Sequence, residues 1–568
     1  MSNQEIAERL YDIADMLEIE GVQWEPRAYR TAAMTISTLN TDITIFYNEG
    51  KLTELEGVGK SIAKSVEEYI KTGKISKYEK LKKKYPVDFE AFRRIRGLGP
   101  KRIYTLYKKL GVKDVDGLKA AVDGHKIREL DGFGEKSEEE MDKNLKTFSR
   151  LKENRKPLGF VMDYAENIVS RLRSSGFFDT VELAGSVRRM KDTVGDFDIL
   201  TASYEPEKAV DFFSRLKEVR GIVVKGPTKT TVDLDIGLSC DMRVVEKASF
   251  GSALQYFTGN KDHNIKLRKI AISKGFKLNE YGVFRGKKQV AGSTEAEVYK
   301  SLGLEVMPPE LRENMGEIEA SQKHRLPKVV DYAEIRGDLH VHTKDSDGAN
   351  TLEEIASAAE RLGRKYIALT NHSVGLRIAN GLDAARFAAL NKKIDKFNES
   401  GGIRVLKGVE LEILKDGSLD LPGSILKDLD FVVGALHQNL KMSPRDLTDR
   451  LLRAINSGMI TAVAHPTDRI IGEREALPLD FDRIFDACEK NGVLLEIDGF
   501  PSRSDLPFDL VKKAKEHGGI RFSLGSDSHR LEHLKFIRLA TAIARRGWLT
   551  KDDVVNTLDY KGVLKLKR

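Results

Sequence analysis

Cysteine is nearly absent: Cys240 and Cys488 are the only two in 568 residues. Two cysteines cannot build a disulfide framework, and neither stands in a Cys-x-x-Cys pair, so a reducing cytoplasm is the expected compartment. No apolar run approaches the ~20 residues that a membrane span needs. The opening Met1-Ser-Asn-Gln-Glu-Ile is polar and acidic, unlike a signal peptide. What remains is a soluble, globular composition with 40% hydrophobic and 32% charged residues. That length accommodates about three to five domains.

The formal net charge is only +8, but it is unevenly spread. Residues 60–109 hold 16 Lys/Arg against 5 Asp/Glu, a local +11. Such a stretch points to a polyanion partner. Its bland counterpart is a solvated basic helix face.

Helical spacing of Ile6, Leu10, Ile13, Ala14 and Leu17 predicts an N-terminal amphipathic helix. Three segments then repeat one pattern: Leu55-Glu-Gly57-Val-Gly59-Lys60, Ile95-Arg-Gly97-Leu-Gly99-Pro100-Lys101-Arg102 and Leu130-Asp-Gly132-Phe-Gly134-Glu135. Each is an apolar residue, a Gly-x-Gly and the start of a predicted helix. Glycine permits positive φ and close approach of another backbone. The first N–H groups of the next helix can face a phosphate, with a basic side chain beside them. This is the helix-hairpin-helix pattern, which grips DNA without reading its sequence. Gly57, Gly59, Lys60, Lys64, Gly97, Gly99, Lys101 and Arg102 are the candidate DNA-binding residues. The third copy, with Glu135, is expected to contribute packing more than binding.

The middle of the chain reads Gly185-Ser186-Val-Arg188-Arg189 and then Gly195-Asp196-Phe197-Asp198-Ile199. Asp-x-Asp on a strand puts both carboxylates on one face. Two carboxylates that close favour neutralisation by cations, and a pair of Mg²⁺ or Mn²⁺ ions there would organise in-line attack on a phosphate. The Gly185-Ser186 turn offers donors for a triphosphate, and Arg189 adds charge. A third carboxylate is expected on a neighbouring strand. Val232-Asp233-Leu234-Asp235 and Cys240-Asp241-Met242 both alternate suitably. Asp241 is preferred, because its order before Val244-Val245 and Tyr256-Phe257-Thr258-Gly259 resembles that of known nucleotidyltransferases.

From His340 to His529 the chain sets six of its 11 histidines among carboxylates. The clusters are His340-Val-His342, Asp347, Asn371-His372, Glu410, His437, His465 and Asp527-Ser-His529. Several follow apolar runs, as Tyr366-Ile-Ala-Leu369 precedes His372 and Ile460-Thr-Ala-Val463 precedes His465. A single histidine after an apolar strand is usually a satisfied core residue. Six beside acids instead suggest strand ends converging on metals, with hydrolysis of a phosphoester as the natural chemistry.

These last positions resemble the PHP (polymerase and histidinol phosphatase) family, a distorted (β/α)7 barrel binding up to three divalent metals. The resemblance implies His340, His342, Asp347, His372, Glu410, His437, His465, Asp527 and His529 as ligands of Zn²⁺, Mn²⁺ or Fe²⁺. Asn371 stands where that family usually has Asp, which removes a charge beside the ligand His372 and implies a retuned metal. With the hairpins, Gly185-Ser186, the aspartates, Tyr256–Gly259, Asn264, Arg268 and Lys274–Tyr281, almost the whole chain resembles a bacterial or archaeal family X DNA polymerase with a C-terminal PHP domain. The resemblance implies metals at Asp196, Asp198 and Asp241 and a triphosphate held by Gly185, Ser186, Arg189 and Gly195. It also implies that Tyr256, Phe257 and Gly259 flank the sugar and that Asn264 and Arg268 probe the new base pair. Where that family's lyase lysine is expected, this chain has Ser65, with Lys60 and Lys64 nearby; strong lyase activity is not expected.

The expected organisation is multidomain. A helical gap-binding domain (1–80) precedes a fingers-like hairpin domain (81–150), an α/β nucleotidyltransferase palm (151–250) and a terminal polymerase subdomain (251–317). A linker (318–333) and the PHP barrel (334–568) complete it. The implied function is filling of short DNA gaps in base-excision repair, with a 3′→5′ exonuclease in the barrel and a 3′-phosphatase or abasic-site endonuclease as additional options. Gapped or nicked DNA and dNTPs are the expected partners, and a monomer the expected state. The competing readings are a histidinol-phosphatase-type enzyme on a DNA tether and a scaffold without chemistry.

Overall fold

A computed structural model describes residues 3–39, 43–93, 98–130, 132–139, 141–142, 145 and 155–567. The chain divides into two compact units. One comprises Met1–Lys156, Tyr164–Arg188 and Thr193–Val306; the other Pro157–Asp163, Arg189–Asp192 and Met307–Arg568.

The first unit begins with helices Asn3–Ile19, Glu25–Thr38, Lys60–Thr72, Ser76–Lys84, Pro100–Leu110 and Val115–Asp123. Ile6, Leu10, Ile13, Ala14 and Leu17 are all buried, as their spacing predicts. One apolar cluster runs from these residues through Ile62, Val66, Ile103 and Leu106 to Phe133 and Leu145. The regions on either side of residue 80 therefore share a core.

A five-stranded sheet follows, built from β1 (Thr180–Leu183), β2 (Asp196–Ala202), β3 (Val219–Lys225), β4 (Lys229–Leu234) and β5 (Ser239–Val245). Its order is β1-β2-β5-β4-β3. Only β2 and β5 run parallel, and their register sets Asp198 beside Asp241. Helices Phe250–Thr258 and Lys261–Ser273 and a three-stranded antiparallel meander (β6, Lys277–Asn279; β7, Gly282–Arg285; β8, Lys288–Ala291) complete this unit.

The second unit holds seven parallel strands in sequence order: β9 (Gly337–Val341), β10 (Tyr366–Leu369), β11 (Arg404–Glu412), β12 (Phe431–Ala435), β13 (Ala462–Val463), β14 (Leu494–Asp498) and β15 (Phe522–Gly525). Both faces of these strands are almost wholly buried, as expected of a parallel sheet covered by helices. Phe431, Val433 and Ala435 enter one core cluster and Val432 another. A Val341–Ser528 bridge brings the first strand against the segment after the last, and the His342 amide donates to Ser528 O at 2.8 Å. The result is a nearly closed seven-stranded barrel, the fold class the sequence implies. The stretch expected as a linker is packed: it carries helix Glu317–Gln322, with Glu317 and Ile318 buried. Its polarity misleads because the Glu317 carboxylate accepts the amides of Asn314 and Met315.

Candidate active sites

In the hairpin region, Gly57 has φ +78°, and a Cβ there would lie 2.7–2.8 Å from Thr31 and the Ala32 amide. The close approach explains the glycine. Gly59 and Gly99 precede helices Lys60–Thr72 and Pro100–Leu110, and neither helix start has a side-chain cap. Lys60, Lys64 and Lys101 are exposed. Arg102 behaves differently: its guanidinium stacks 5.2 Å from the Phe133 ring and donates to Ser137 Oγ at 3.0 Å. The third hairpin thus packs against the second. Gly97 lies outside the described residues. Ser65 is buried, with its hydroxyl donating to Ser61 O.

In the five-stranded sheet, Asp196 and Asp198 alternate on β2, and Asp241 accepts the Thr231 hydroxyl at 2.6 Å. The buried Cys240 thiol is pushed well above its usual range by burial and then by Asp198, Asp241 and Asp196. Asp198 and Asp241 stand opposite one another on adjacent strands, with Asp196 two residues before Asp198 on the same face. A Cβ on Gly185, which has φ +58°, would overlap the Asp198 carboxylate. Ser186 Oγ is buried and has no hydrogen-bond partner. Converging acids and an orphaned hydroxyl fit a site for divalent cations and a phosphate-bearing ligand. Arg188 ties this turn to the segment that follows, donating to Thr258 Oγ1 at 2.7 Å and pairing with Glu295. Asp233 is exposed on β4, where it pairs with Ser239.

Other expected contacts are engaged within the protein. Asn264 donates to Tyr256 O and accepts from Gln255, both at 2.7 Å. Arg268 pairs with Glu5 at 3.0 Å. Arg189 belongs to the second unit, where it pairs with Glu313 at 3.0 Å. Tyr256 and Phe257 meet edge to face, and Arg243 lies over the Phe257 ring. Gly259 has φ +71° at the end of helix Phe250–Thr258, and Gly195 lies beside Arg155.

At the barrel, all nine expected ligands come together. Glu410 is the hub. One of its oxygens faces His372 Nδ1 (2.9 Å), His340 Nε2 (3.3 Å) and His342 Nε2 (3.5 Å). The other faces His465 (2.8 Å) and His437 (3.1 Å). Asp527 lies 3.2 Å from His342, and Asp347 lies 3.4 Å from His529 and 3.5 Å from His372. Three groups have donor atoms within 4.8 Å of one another: His342/Asp347/His372/His529, His340/His342/Asp527 and His372/Glu410/His437. Buried His340 Nε2, His342 Nδ1 and Nε2, His372 Nδ1 and Glu410 Oε2 have no hydrogen-bond partner. Orphaned imidazole and carboxylate donors aimed at shared points fit divalent metals.

Electrostatics reinforce the fit. Burial and the neighbouring His529 and His372 rings hold His342 down to about 3, leaving it neutral with a free lone pair. Burial opposes charging His437 and His529. The Glu410 and Glu412 carboxylates nevertheless raise His437 to about 10, and Asp527 and Asp347 raise His529 to about 9.

Sequence reasoning missed the groups that orient these ligands. Glu496 lies 2.6 Å from His340 Nδ1 and accepts the His465 amide at 2.7 Å. Glu412 lies 2.9 Å from His437 Nδ1 and is met by the buried Arg450. Glu496 stands inside β14, between Leu495 and Ile497, and the signal that could have found it is an acid set within an apolar strand. Asn371 is buried and bonds to Thr343 and Ser346. Its partners lie in the loop leading to Asp347, so it braces that loop. Arg503 lines the cavity, held by Asp468 at 2.8 Å and lying 3.9 Å from Asp527.

Comparison with known proteins decides the family. A Bacillus subtilis (strain 168) protein called DNA polymerase/3′-5′ exonuclease PolX is 34% identical over 570 residues, covering 99% of both chains. The chain belongs to the PolX family of family X DNA polymerases. Consistent with PolX, residues 1–75 match a helix-hairpin-helix domain and residues 89–146 a SAM-like helix-hairpin-helix tandem. Residues 253–313 match the DNA polymerase beta thumb, and residues 338–499 the PHP domain. Proteins called probable phosphatases, from Thermoanaerobacter sp. (strain X514) and Acetivibrio thermocellus, are 32% and 30% identical over 230 and 201 residues. They cover 39% and 34% of this chain, and 89% and 78% of their own. Among the described residues, no helix is long and apolar enough to cross a membrane.

Proposed function

We propose that this PolX chain is a DNA-directed DNA polymerase that fills short gaps in base-excision repair, with a 3′→5′ exonuclease in its barrel. The observation that carries the reading is the pairing of two phosphate-chemistry centres in a chain similar to a polymerase/exonuclease over its whole length. One is the Asp196/Asp198/Asp241 trio, the other the Glu410-centred cluster. Gapped or nicked DNA and dNTPs are the substrates, and a cytoplasmic monomer the working state.

Mg²⁺ or Mn²⁺ would be held by Asp196, Asp198 and Asp241, and up to three Zn²⁺, Mn²⁺ or Fe²⁺ ions by the nine barrel residues. When bound, such cations supply Lewis-acid stabilisation of charge on phosphate oxygens. In the palm, Ser186 Oγ offers its unpartnered hydroxyl to the triphosphate, with Gly185, Arg189 and Gly195 as further contacts. Tyr256, Phe257 and Gly259 restrict the sugar, and Asn264 and Arg268 meet the base pair. Gly57, Gly59, Lys60, Lys64, Gly97, Gly99, Lys101 and Arg102 grip the DNA backbone. In the barrel, Glu496 and Glu412 hold His340 and His437 with Nε2 facing inward. Arg503 faces the same cavity and offers positive charge to a substrate phosphate.

The test is a 5′-labelled primer in a one-nucleotide gap, with Mn²⁺, with and without dNTPs. Lengthening with dNTPs and shortening without them support both activities; a primer that never lengthens removes the polymerase. The kinship with probable phosphatases favours one second reading, a barrel acting on small phosphate esters. Faster turnover of histidinol phosphate than of oligonucleotide would establish it.

A further inference from the structure

The barrel cavity has a chemically mixed lining. The cavity is about 330 Å³. Its lining combines the ligand cluster and Arg503 with three apolar residues, Leu376, Ile378 and Ala379. The latter belong to the segment that leaves His372 and returns at Leu382, whose amide donates to His372 O at 2.8 Å.

This lip presents an apolar tip to water. Ile378 is 95% exposed, the most exposed large apolar side chain among the described residues, and nearby Val374 is also exposed. Polar ties fix the lip around its apolar tip. Asp420 accepts the Ser373 hydroxyl at 2.6 Å and the Gly375 amide at 2.7 Å. Gln438 donates to Gly375 O at 2.7 Å. On the far side, Asn380 donates to Ser346 O at 3.1 Å and Arg386 to Asn380 O at 3.0 Å. A Cβ on Gly381 would overlap the Ser373 carbonyl. Anchored at both ends, the loop holds Ile378 out in place of folding it onto the core.

We infer that Ile378, backed by Leu376, is a wedge for the terminal base of a DNA 3′ end whose phosphate lies at the ligand cluster. The inference rests on the phosphoesterase reading of the barrel and names what selects its substrate. Aliphatic side chains that separate stacked bases are a recurrent device in DNA-binding proteins. A base offers an apolar face to cover the isoleucine, and the exposed Arg377 can meet the following backbone phosphate. A small polar phosphate ester would reach the ligands and gain nothing from the lip.

The test uses the full chain in Mn²⁺ and two substrates: a 5′-labelled single-stranded oligonucleotide and glycerol 2-phosphate, a small ester with neither a base nor an aromatic ring, followed by phosphate release. For Ile378→Asp, kcat/KM on the oligonucleotide should fall about tenfold or more relative to that on the small ester, the effect of losing the burial of one aliphatic side chain. The loss should fall mainly on KM. Ile378→Phe should restore oligonucleotide KM. Equal losses on both substrates, or an unchanged oligonucleotide KM, would overturn the wedge. If the unsubstituted protein cleaves only the small ester, the DNA occupant falls while the phosphoesterase stands; if it cleaves neither, the phosphoesterase reading falls and takes the wedge with it.

Discussion

Glu496 Oε1 lies 2.6 Å from His340 Nδ1, with both side chains buried. The contact fixes which ring nitrogen faces Glu410. Glu496→Gln should therefore weaken divalent-metal binding by the barrel about 10–100-fold. Metal titration of exonuclease activity checks this, with primer extension as the internal control that stays intact.

The two centres use different residues, so their losses should separate. Asp198→Ala should abolish extension and leave shortening. His342→Ala should do the reverse. The gapped-primer gel reads both, and EDTA should stop both.

Arg503 is held among Asp468, Asp498 and Asp527 and is itself largely buried. Replacing it with Met leaves buried carboxylates uncompensated, which costs about 3–5 kcal/mol. Trp24 and Trp548 are the only tryptophans. In a Trp24→Phe background, Trp548 fluorescence reports urea unfolding of the barrel, and its midpoint should fall by that free energy divided by the m-value. Arg503→Lys should recover part of the stability, because the charge remains without the fork.

Glu138 tests the N-terminal region by pH. Burial opposes its ionisation, but hydrogen bonds from His125 and from the Arg128 amide and guanidinium prevail and hold it down to about 2. A carboxyl depressed in the fold stabilises it above the ordinary glutamate range, near 4.3, and loses that contribution as pH falls toward 2. The Ile127 and Arg128 amides donate to this carboxylate at 3.0 and 2.9 Å. Hydrogen exchange of the full chain should show their protection falling across that window, and Glu138→Gln should remove the pH dependence.

The barrel and its donors were legible because each strand announces itself as an apolar run and each ligand stands at its end. Glu496 lies inside β14 and not at its end, and only its distance to His340 distinguishes it from other acids in strands. Arg503 and the Ile378 lip sit on loops, where no periodicity marks a residue. The Glu5–Arg268 pair joins positions far apart in sequence, which local pattern cannot reveal. In the palm, alternation left Asp233, Asp235 and Asp241 equally eligible; strand order, with β5 beside β2, is what sets Asp241 next to Asp198. The packed segment around Glu317 read as linker because a buried carboxylate capping two amides looks, in sequence, like any surface acid.

The bridge between Val341 and Ser528 has a consequence in time. His340 and His342 leave the ribosome long before Asp527 and His529, about 10–40 s at ordinary rates of synthesis. Until the last of these arrives, a nascent chain carries the complete aspartate trio and an unfinished barrel. A truncation anywhere between 342 and 527 should yield a protein able to extend a primer and unable to trim one.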